Sequence, residues 1–179
     1  FTLQEEHRKL IKEIEQEYPR YFDLKYQTKT AEIMDIQGVL NQGEALLNYL
    51  LDTEKKIIYI LYISQNNSEI KVAESKENPV VISEDFVACI KNQYLGGALR
   101  NGSLLYSVLI DPVRGTLEKE NINKLLIIPD HILFNVPFEV LVPWIFYKSY
   151  DSKSDGERRE LENKIPYLIR DYAISYHFS

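Results

Sequence analysis

The single cysteine and the three histidines are the residues of this chain that could support nucleophilic catalysis. Attack by a thiolate needs a histidine within hydrogen-bonding reach of a cysteine that the substrate can approach. Cys89 instead lies between Val87 and Ile90 in a segment with helical spacing, and no histidine is near it in the sequence. We therefore interpret Cys89 as a small buried side chain, as free cysteines usually are, with a reactive thiol as the alternative.

The three histidines are scattered along the chain, and their spacing matches no metal site. His7 is interpreted as a packing or docking residue of the opening helix, and His177 as a solvated strand end. His131 follows the turn residues Pro129 and Asp130, where a turn or capping role competes with a catalytic one because loops often carry function. The sequence predicts neither a metal nor a cofactor.

Asp130 and Glu139 could form the paired carboxylates of a general acid and a general base. A structural interpretation is sufficient for both. Asp130 can bond backbone amides in its own turn, and Glu139 can satisfy a buried amide or an arginine such as Arg170. Ser175 lacks the Gly-x-Ser-x-Gly elbow of hydrolases, and Gly96–Gly97 lacks the spacing and the lysine of a phosphate loop.

The composition indicates one compact core with a small appendage, because 45% of the 179 residues are apolar. Acidic residues outnumber basic ones by 27 to 21, and the net charge of −6 argues against a nucleic-acid surface. One cysteine cannot form an internal disulfide, and no apolar run reaches the roughly 18 residues of a membrane span. These features predict a reducing, intracellular location. The start at Phe1 predicts a piece of a longer protein.

The elements before the sheet are predicted to be two helices. Apolar residues recur every three or four positions from Leu3 to Tyr18, which predicts an amphipathic helix that Pro19 ends. Thr30 is predicted to cap a second helix. That helix should stop where Asn41 and Gly43 can adopt left-handed conformations.

From Glu44 the sequence predicts a three-stranded antiparallel meander, formed by EALLNYLLD, IIYILYIS and EIKVA. Ser83 is predicted to cap the helix that follows. Gly96–Gly97 and Asn101–Gly102 are predicted to break the chain behind that helix. The apolar run LLYSVLI leaves a buried helix and a buried strand equally open.

The second half contains a run of apolar residues, Lys124–Ile128, that predicts a strand buried on both faces of an α/β sheet. Residues 150–162 are highly charged and predict a mobile surface loop. The final YLIRDYAISYHF predicts one or two further strands. The tyrosines 49, 59 and 62 are interpreted as sheet residues with hydroxyls at the rim, with a base-stacking platform as the alternative.

The segment LLIIPDHILFNVPFEVLV, followed by YLIRDYAISYHFS, resembles the paired signature of CHAT domains, a caspase-like and separase-like family. The stretch GEALLNYLLDTEKKIIYILYIS is similar to the strands that lead into that signature. The matching positions are Pro129, Asp130, Pro137, Phe138, Glu139, Leu141, Tyr167, Leu168, Ile169, Tyr172, Ile174, Ser175 and Tyr176. His131, Val136 and Phe178 replace the usual glycine, leucine and proline. A positive φ at His131 is awkward without glycine, although histidine tolerates it.

The resemblance implies an α/β caspase-like fold, with an antiparallel meander, buried sheet strands and a helical N-terminal connector. Residues 1–30 would be that connector, at the end of a TPR region, and residues 31–179 the N-terminal part of a CHAT domain. This part corresponds to the pseudo-peptidase lobe. In the family the catalytic histidine and cysteine follow the Ile-Ser-Tyr strand, so the matching residues here are expected to be structural and none of them catalytic.

The expected function is therefore that of a regulatory front half of a cytoplasmic cysteine peptidase that cleaves proteins. Its expected partners are the upstream TPR repeats, the downstream catalytic lobe, and a protein substrate or activator, with neither membrane nor nucleic acid. Two alternatives stay open. One is a non-catalytic interaction module linked to TPR repeats, and the other is a small-molecule sensor with a pocket near Asp130.

Overall fold

A computed structural model describes residues 3–18 and 31–177 of the chain. The chain divides into two compact units, residues 1–32 and residues 33–179. The first unit contains helix α1 (Leu3–Glu17), which confirms the predicted opening helix. Three positions with sequence-based predictions, Pro19, Thr30 and Phe178, lie outside the described residues. The division into a connector and a CHAT domain at residue 31 stays a prediction.

The second unit alternates helices with the strands of one sheet. In chain order it contains α2 (Ile33–Val39), β1 (Glu44–Asp52), β2 (Ile57–Ser64), β3 (Ser68–Glu74), α3 (Pro79–Lys91), α4 (Leu95–Leu109), α5 (Asp111–Lys119), β4 (Lys124–Ile128), α6 (Trp144–Asp151), α7 (Asp155–Glu162) and β5 (Ala173–Tyr176). Short 3-10 helices span His131–Asn135, Phe138–Val140 and Leu168–Arg170. In the described part of the chain, no helix is both long and apolar enough to cross a membrane.

The five strands form one mixed sheet in the order β3-β2-β1-β4-β5. β1, β2 and β3 pair antiparallel, which confirms the predicted meander. β4 lies parallel between β1 and β5, so that Leu126 pairs with Leu46 on one side and with Ser175 on the other. This mixed α/β architecture confirms the predicted α/β fold class and is consistent with a caspase-like fold.

The two faces of the sheet are covered unequally. Side chains alternate along each strand, and one face buries its apolar set, including Leu47, Ile60 and Leu125, against α3, α4 and α5. The other face packs residues such as Leu46 against α2 and its flanking Leu40. The prediction that β4 is buried on both faces is therefore only partly correct. Its side chains are buried on the first face and half-buried on the second.

The boundaries of the helical hairpin α3–α4 differ from the prediction. Asn78, and not Ser83, caps α3: its side-chain oxygen accepts a hydrogen bond from the Val80 amide at 2.9 Å, and Pro79 occupies the first turn. Ser83 is buried inside the helix and donates to the Pro79 carbonyl at 2.8 Å. The ambiguous run LLYSVLI is helical: it forms the second half of α4, and its last residue, Ile110, is the C-cap.

The predicted breaks at Gly96–Gly97 and Asn101–Gly102 are wrong, because both pairs lie inside α4. A Cβ added to Gly97 would lie 2.6 Å from the Cys89 Sγ, and one added to Gly102 would lie 2.9 Å from the Phe86 ring. The glycines therefore serve close packing of α3 against α4. Only glycine, which has no Cβ, allows the two helices to approach this closely.

Left-handed conformations were predicted for Asn41 and Gly43 in the turn before β1, and the structure confirms only the second. Gly43 has φ of +81°, which favours glycine. Asn41 does not adopt the left-handed conformation. Its amide and side chain instead donate to the Glu44 carboxylate, at 3.0 and 2.9 Å.

Residues 150–162 do not form the predicted loop. α6 continues to Asp151, and α7 begins after Ser154, which forms a reciprocal capping box with Glu157. The Arg158 side chain then ties α7 to the end of α6 by donating to the carbonyls of Tyr150 and Asp151. The charged composition misled the prediction because the cap and the main-chain hydrogen bonds stabilise this segment, together with packing of Tyr150 and Leu161 in a small apolar cluster.

Candidate functional site at the carboxyl edge of the sheet

The residues singled out in the second half of the sequence gather where the parallel strands β1, β4 and β5 end. Asp130 follows β4, Phe138 and Glu139 form the short 3-10 helix beyond it, and Tyr176 closes β5. The carboxyl ends of neighbouring parallel strands meet at one edge of a sheet, which is where α/β proteins place their functional loops. Contacts at this edge connect all three strands.

Tyr176 is at the centre of this edge. Its hydroxyl donates a hydrogen bond to Glu139 Oε2 at 2.7 Å and accepts one from the Phe138 amide at 3.0 Å. Burial, and next the hydrogen bond with the Glu139 carboxylate, raise the pKa of Tyr176 well above its usual value. The phenol therefore stays protonated at neutral pH, as a donor and not as a base.

Phe138 extends this contact to β1 and α4. Its side chain is fully buried, and its ring centroid lies 6.2 Å from that of Tyr176 and 5.4 Å from that of Tyr49. The Tyr49 hydroxyl donates to the Leu109 carbonyl at 3.0 Å, at the end of α4. Burial raises the pKa of Tyr49 far above its usual value. We call these four side chains, Tyr49, Phe138, Glu139 and Tyr176, the edge cluster.

Asp130 connects the β4 loop to β1. Its Oδ2 accepts a hydrogen bond from the Leu51 amide at 2.9 Å, so the predicted bond to its own turn is wrong. The following residue, His131, has φ of +50°, which confirms that the turn requires the positive φ expected from the glycine of the family pattern. His131 itself is exposed.

The contacts give no support to an acid and base pair formed by Asp130 and Glu139. The carboxylate of Asp130 binds the Leu51 amide, whereas that of Glu139 binds the Tyr176 hydroxyl. The predicted pairing of Glu139 with Arg170 is also wrong. Arg170 donates to the Asn163 carbonyl at 3.4 Å.

The other motif residues have backbone and packing roles at the same edge. Pro129 is buried, and the Pro137 carbonyl accepts a 3.3 Å hydrogen bond from the Val140 amide. Tyr172 packs against the main core, and Ser175 pairs with Leu126 inside the sheet. The assignment of these residues to a structural family motif stays a prediction.

The candidate nucleophile and the histidines do not come together at this edge. Cys89 is half-buried in α3 and lines two cavities, neither of which is lined by a histidine. The prediction that Cys89 is a buried side chain is therefore wrong, since it is only half-buried. His177 is exposed beyond β5, and the side chain of His7 lies outside what the structure describes. Within residues 3–18 and 31–177 no group of three or more His, Cys, Asp or Glu side chains could hold a metal ion.

Sequence reasoning missed Glu120, which follows α5 at the opposite edge of the sheet. Its carboxylate accepts hydrogen bonds from Tyr62 at 2.8 Å, from Ser64 at 2.5 Å and from Asn67 at 2.9 Å. These bonds connect the end of α5 to β2 and to the turn before β3. Two polar side chains at the end of the apolar strand IIYILYIS were the available signal, because buried hydroxyls need partners.

The tyrosine interpretation holds for two of its three residues. Tyr49 and Tyr62 are buried against the helices, and each hydroxyl reaches a hydrogen-bond acceptor at the border of the core. Tyr59 is half-buried on the other face of the sheet. The packing role predicted for these aromatic side chains therefore fits better than a base-stacking platform.

Comparison with known proteins gives one match and one negative result. Residues 99–179 match the family model of the CHAT domain. The match begins inside α4 and includes β4, the edge cluster residues after it, and β5. A search of the curated proteins finds no match.

Proposed function

We propose, from the match of residues 99–179 to the family model of the CHAT domain, that this chain supplies the regulatory front half of a caspase-like cysteine peptidase that cleaves proteins. The CHAT domain is related to caspase-like peptidases. The proposal places the catalytic histidine and cysteine in chain that follows residue 179. Its partners would be TPR repeats upstream and the catalytic lobe downstream.

The edge cluster is the observation that carries this proposal. Tyr176 ends the last strand of the described sheet, and its hydroxyl holds that strand against Phe138 and Glu139. The Phe138 ring also contacts Tyr49 on β1, so it couples the position of β5 to β1 at the centre of the sheet. Catalytic groups supplied by strands beyond β5 would depend on this edge for their position, because small displacements of reacting groups are costly.

The environment of Cys89 supports placing the chemistry outside the described residues. Its thiol lies beside the Asn101 side chain, with Nδ2 3.9 Å from Sγ, in the helical hairpin and not at the end of a strand. A thiolate nucleophile needs a base within reach and access to the substrate. The cavities next to Cys89 provide no histidine for that purpose.

The test compares cleavage of a diverse peptide library by three samples: a protein that continues past residue 179, its Cys89→Ala variant, and the chain of residues 1–179. We expect cleavage by the longer protein and by its Cys89→Ala variant, abolished in both by alkylation. The shorter chain should be inactive. Cleavage by the shorter chain, or loss of activity in the Cys89→Ala variant with its fold intact, would show that the catalytic thiol is Cys89.

A non-catalytic interaction module is the second candidate. The observation that favours it is the apolar surface on the second face of the sheet, where Leu50, Ile70 and Val72 are each more than half exposed. Absence of peptide cleavage by the longer protein, with and without candidate activators, would favour this function over the first.

A further inference from the structure

The turn between α3 and α4 places an aromatic ring beside the free thiol. Gln93 has φ of +55°, and the Tyr94 amide donates to the Cys89 carbonyl at 2.8 Å. A Cβ on Gly97 would lie 2.6 Å from both the Cys89 Sγ and the Tyr94 ring. The ring and the thiol therefore lie together over Gly97, and each borders two cavities.

The first cavity is apolar and has a volume of about 240 Å³. Besides Cys89 and Tyr94, its walls include Phe86, Ile90, Leu95, Ala98, Leu99 and Val140. An apolar cavity of about 150 Å³ is enough to hold benzene. This cavity is therefore large enough for a single aromatic ring with a short substituent.

The second cavity is larger, about 650 Å³, and shares Cys89 and Tyr94 with the first. Four charged side chains line it, two of each sign: Arg100, Arg158, Asp85 and Asp151. Cys89 and Tyr94 line both cavities, so the apolar cavity and the charged cavity adjoin at these two residues. Balanced charges on the walls favour a ligand that carries both signs.

Arg158 and Asp85 are the charges best able to meet such a ligand. Arg158 is held by main-chain carbonyls, at 3.2 Å from that of Tyr150 and 2.8 Å from that of Asp151. Its guanidinium also forms two long ion pairs, with Asp155 at 3.7 Å and with Asp151 at 3.9 Å, and lies 5.4 Å from the centre of the Tyr150 ring. Asp85 is exposed and forms no ion pair with the described residues. Arg100 is paired more closely, with Glu77 at 3.1 Å.

We propose that the two cavities form one binding site for a free α-amino acid with an aromatic side chain. The ring occupies the apolar cavity, the carboxylate is bound by Arg158, and the ammonium group is bound by Asp85. Charge-assisted hydrogen bonds to both ends distinguish the zwitterion from a molecule that carries only one of the charges. The site is independent of peptidase activity, so its test does not depend on the proposed function.

The experiment uses the full chain with L-phenylalanine as the probe. Two readouts are measured, the rate at which iodoacetamide alkylates Cys89 and the melting temperature. L-Phenylalanine should slow alkylation, because the thiol borders both cavities, and should raise the melting temperature, because it binds the folded state. 3-Phenylpropanoate, which lacks the ammonium group, and phenethylamine, which lacks the carboxylate, should each bind about tenfold more weakly.

Three variants separate the effect of the Arg158 charge from other effects. Arg158→Gln should weaken phenylalanine binding about tenfold and leave phenethylamine unchanged, because only the carboxylate loses its partner. Arg159→Gln makes the same change at the next, exposed position of α7 and should have no effect. Ala98→Leu fills the apolar cavity without altering α7, and should weaken all three probes.

Two results with the ligands, and one with a variant, would overturn the proposal. One is no effect of L-phenylalanine at millimolar concentration on either the alkylation rate or the melting temperature. The other is equal binding of all three probes, since that would leave only an apolar contact at Tyr94. Retention of binding by Ala98→Leu would equally contradict the assignment of the ring to the apolar cavity.

Discussion

At the scale of single residues, the Tyr176 hydroxyl forms two hydrogen bonds at the carboxyl edge of the sheet. The hydroxyl is both donor and acceptor, so its removal leaves the Glu139 carboxylate and the Phe138 amide without that partner. A partly buried charged acceptor that loses its donor is destabilised more than a neutral one. The hydroxyl of Tyr176 therefore adds to the stability that its ring provides by packing against Phe138 and the core.

Replacement of Tyr176 by Phe tests this directly. We expect the free energy of unfolding to fall by about 1 to 3 kcal/mol, because the ring stays and two hydrogen bonds are lost. Urea denaturation followed by circular dichroism measures the change. Tyr59→Phe is the matched control, since the Tyr59 hydroxyl has no hydrogen bond to the described residues; an equal loss in both variants would contradict the assignment.

Glu120 predicts a dependence of stability on acid. Partial burial raises the pKa of Glu120, but hydrogen bonds from Ser64, Asn67 and Tyr62 outweigh it and hold the pKa below its usual value. The unfolded chain therefore takes up the proton first as the pH falls. The stabilisation is present above the unfolded pKa and is lost as the pH falls through the folded one.

Glu120→Gln should therefore be less stable than the parent at neutral pH, and the difference should shrink at about pH 3 because protonation removes the parent's advantage. Urea midpoints at the two pH values measure it. Glu84→Gln, at an exposed position of α3, should match the parent at both. If the difference in stability between Glu120→Gln and the parent were the same at both pH values, the charge of Glu120 would not contribute to stability.

Single residues were predictable from the sequence only where local geometry decides them. The positive φ at Gly43 and at the turn position of His131 follow from chain geometry near each residue. The partners of Asp130 and Glu139 do not, because Leu51 lies 79 residues from Asp130 and Tyr176 lies 37 residues from Glu139. Only the parallel pairing of β4 brings those groups together.

At the scale of elements, the helical glycines show how tertiary packing overrides local propensity. Glycine inside a helix costs about 1 kcal/mol relative to alanine, and is normally a sign of a break. In α4, Gly97 and Gly102 face the side chains of α3 and its following turn, where a Cβ would not fit. Close packing therefore outweighs the loss of helix propensity. Gly115 in α5 is different, since nothing lies within 4 Å of the position of its Cβ.

Two alanine substitutions should therefore have opposite signs. Gly115→Ala should stabilise the fold by about 0.5 to 1 kcal/mol through helix propensity. Gly102→Ala should destabilise it, because the Cβ would lie 2.9 Å from the Phe86 ring, which is buried and cannot move freely. Thermal melting of the two variants decides it, and stabilisation by both would mean that the hairpin packs more loosely than described.

Helix α7 illustrates the other direction of error. Its charged sequence predicted a loop, because composition measures apolar burial and α7 has no buried residue. The capping box of Ser154 and Glu157 was nevertheless present in the sequence as the spacing that starts helices. Attention to the cap, and not to mean composition, would have found this helix.

At the scale of the whole molecule, the α/β class and the meander followed from periodicity, since alternating and continuous apolar runs distinguish the strand types. Strand order did not follow, because the place of β4 between β1 and β5 depends on long-range pairing. The CHAT resemblance was carried by the segments around β4 and β5, which the family match at residues 99–179 covers, and by the lead-in strands of residues 43–64, which it does not cover. The two cavities bordered by α3, α4, α6 and α7 have no signal in the sequence.

The coupling of the edge cluster to catalysis is tested most directly by the rate of peptide hydrolysis in a protein that continues past residue 179. The parent is compared with its Tyr176→Phe and Tyr59→Phe variants, at a temperature where all three are folded. We expect kcat/KM to fall about tenfold or more in Tyr176→Phe and to stay unchanged in Tyr59→Phe, because only the first loosens the edge that positions the downstream strands. Equal activity of the three proteins would contradict the regulatory role proposed for this chain.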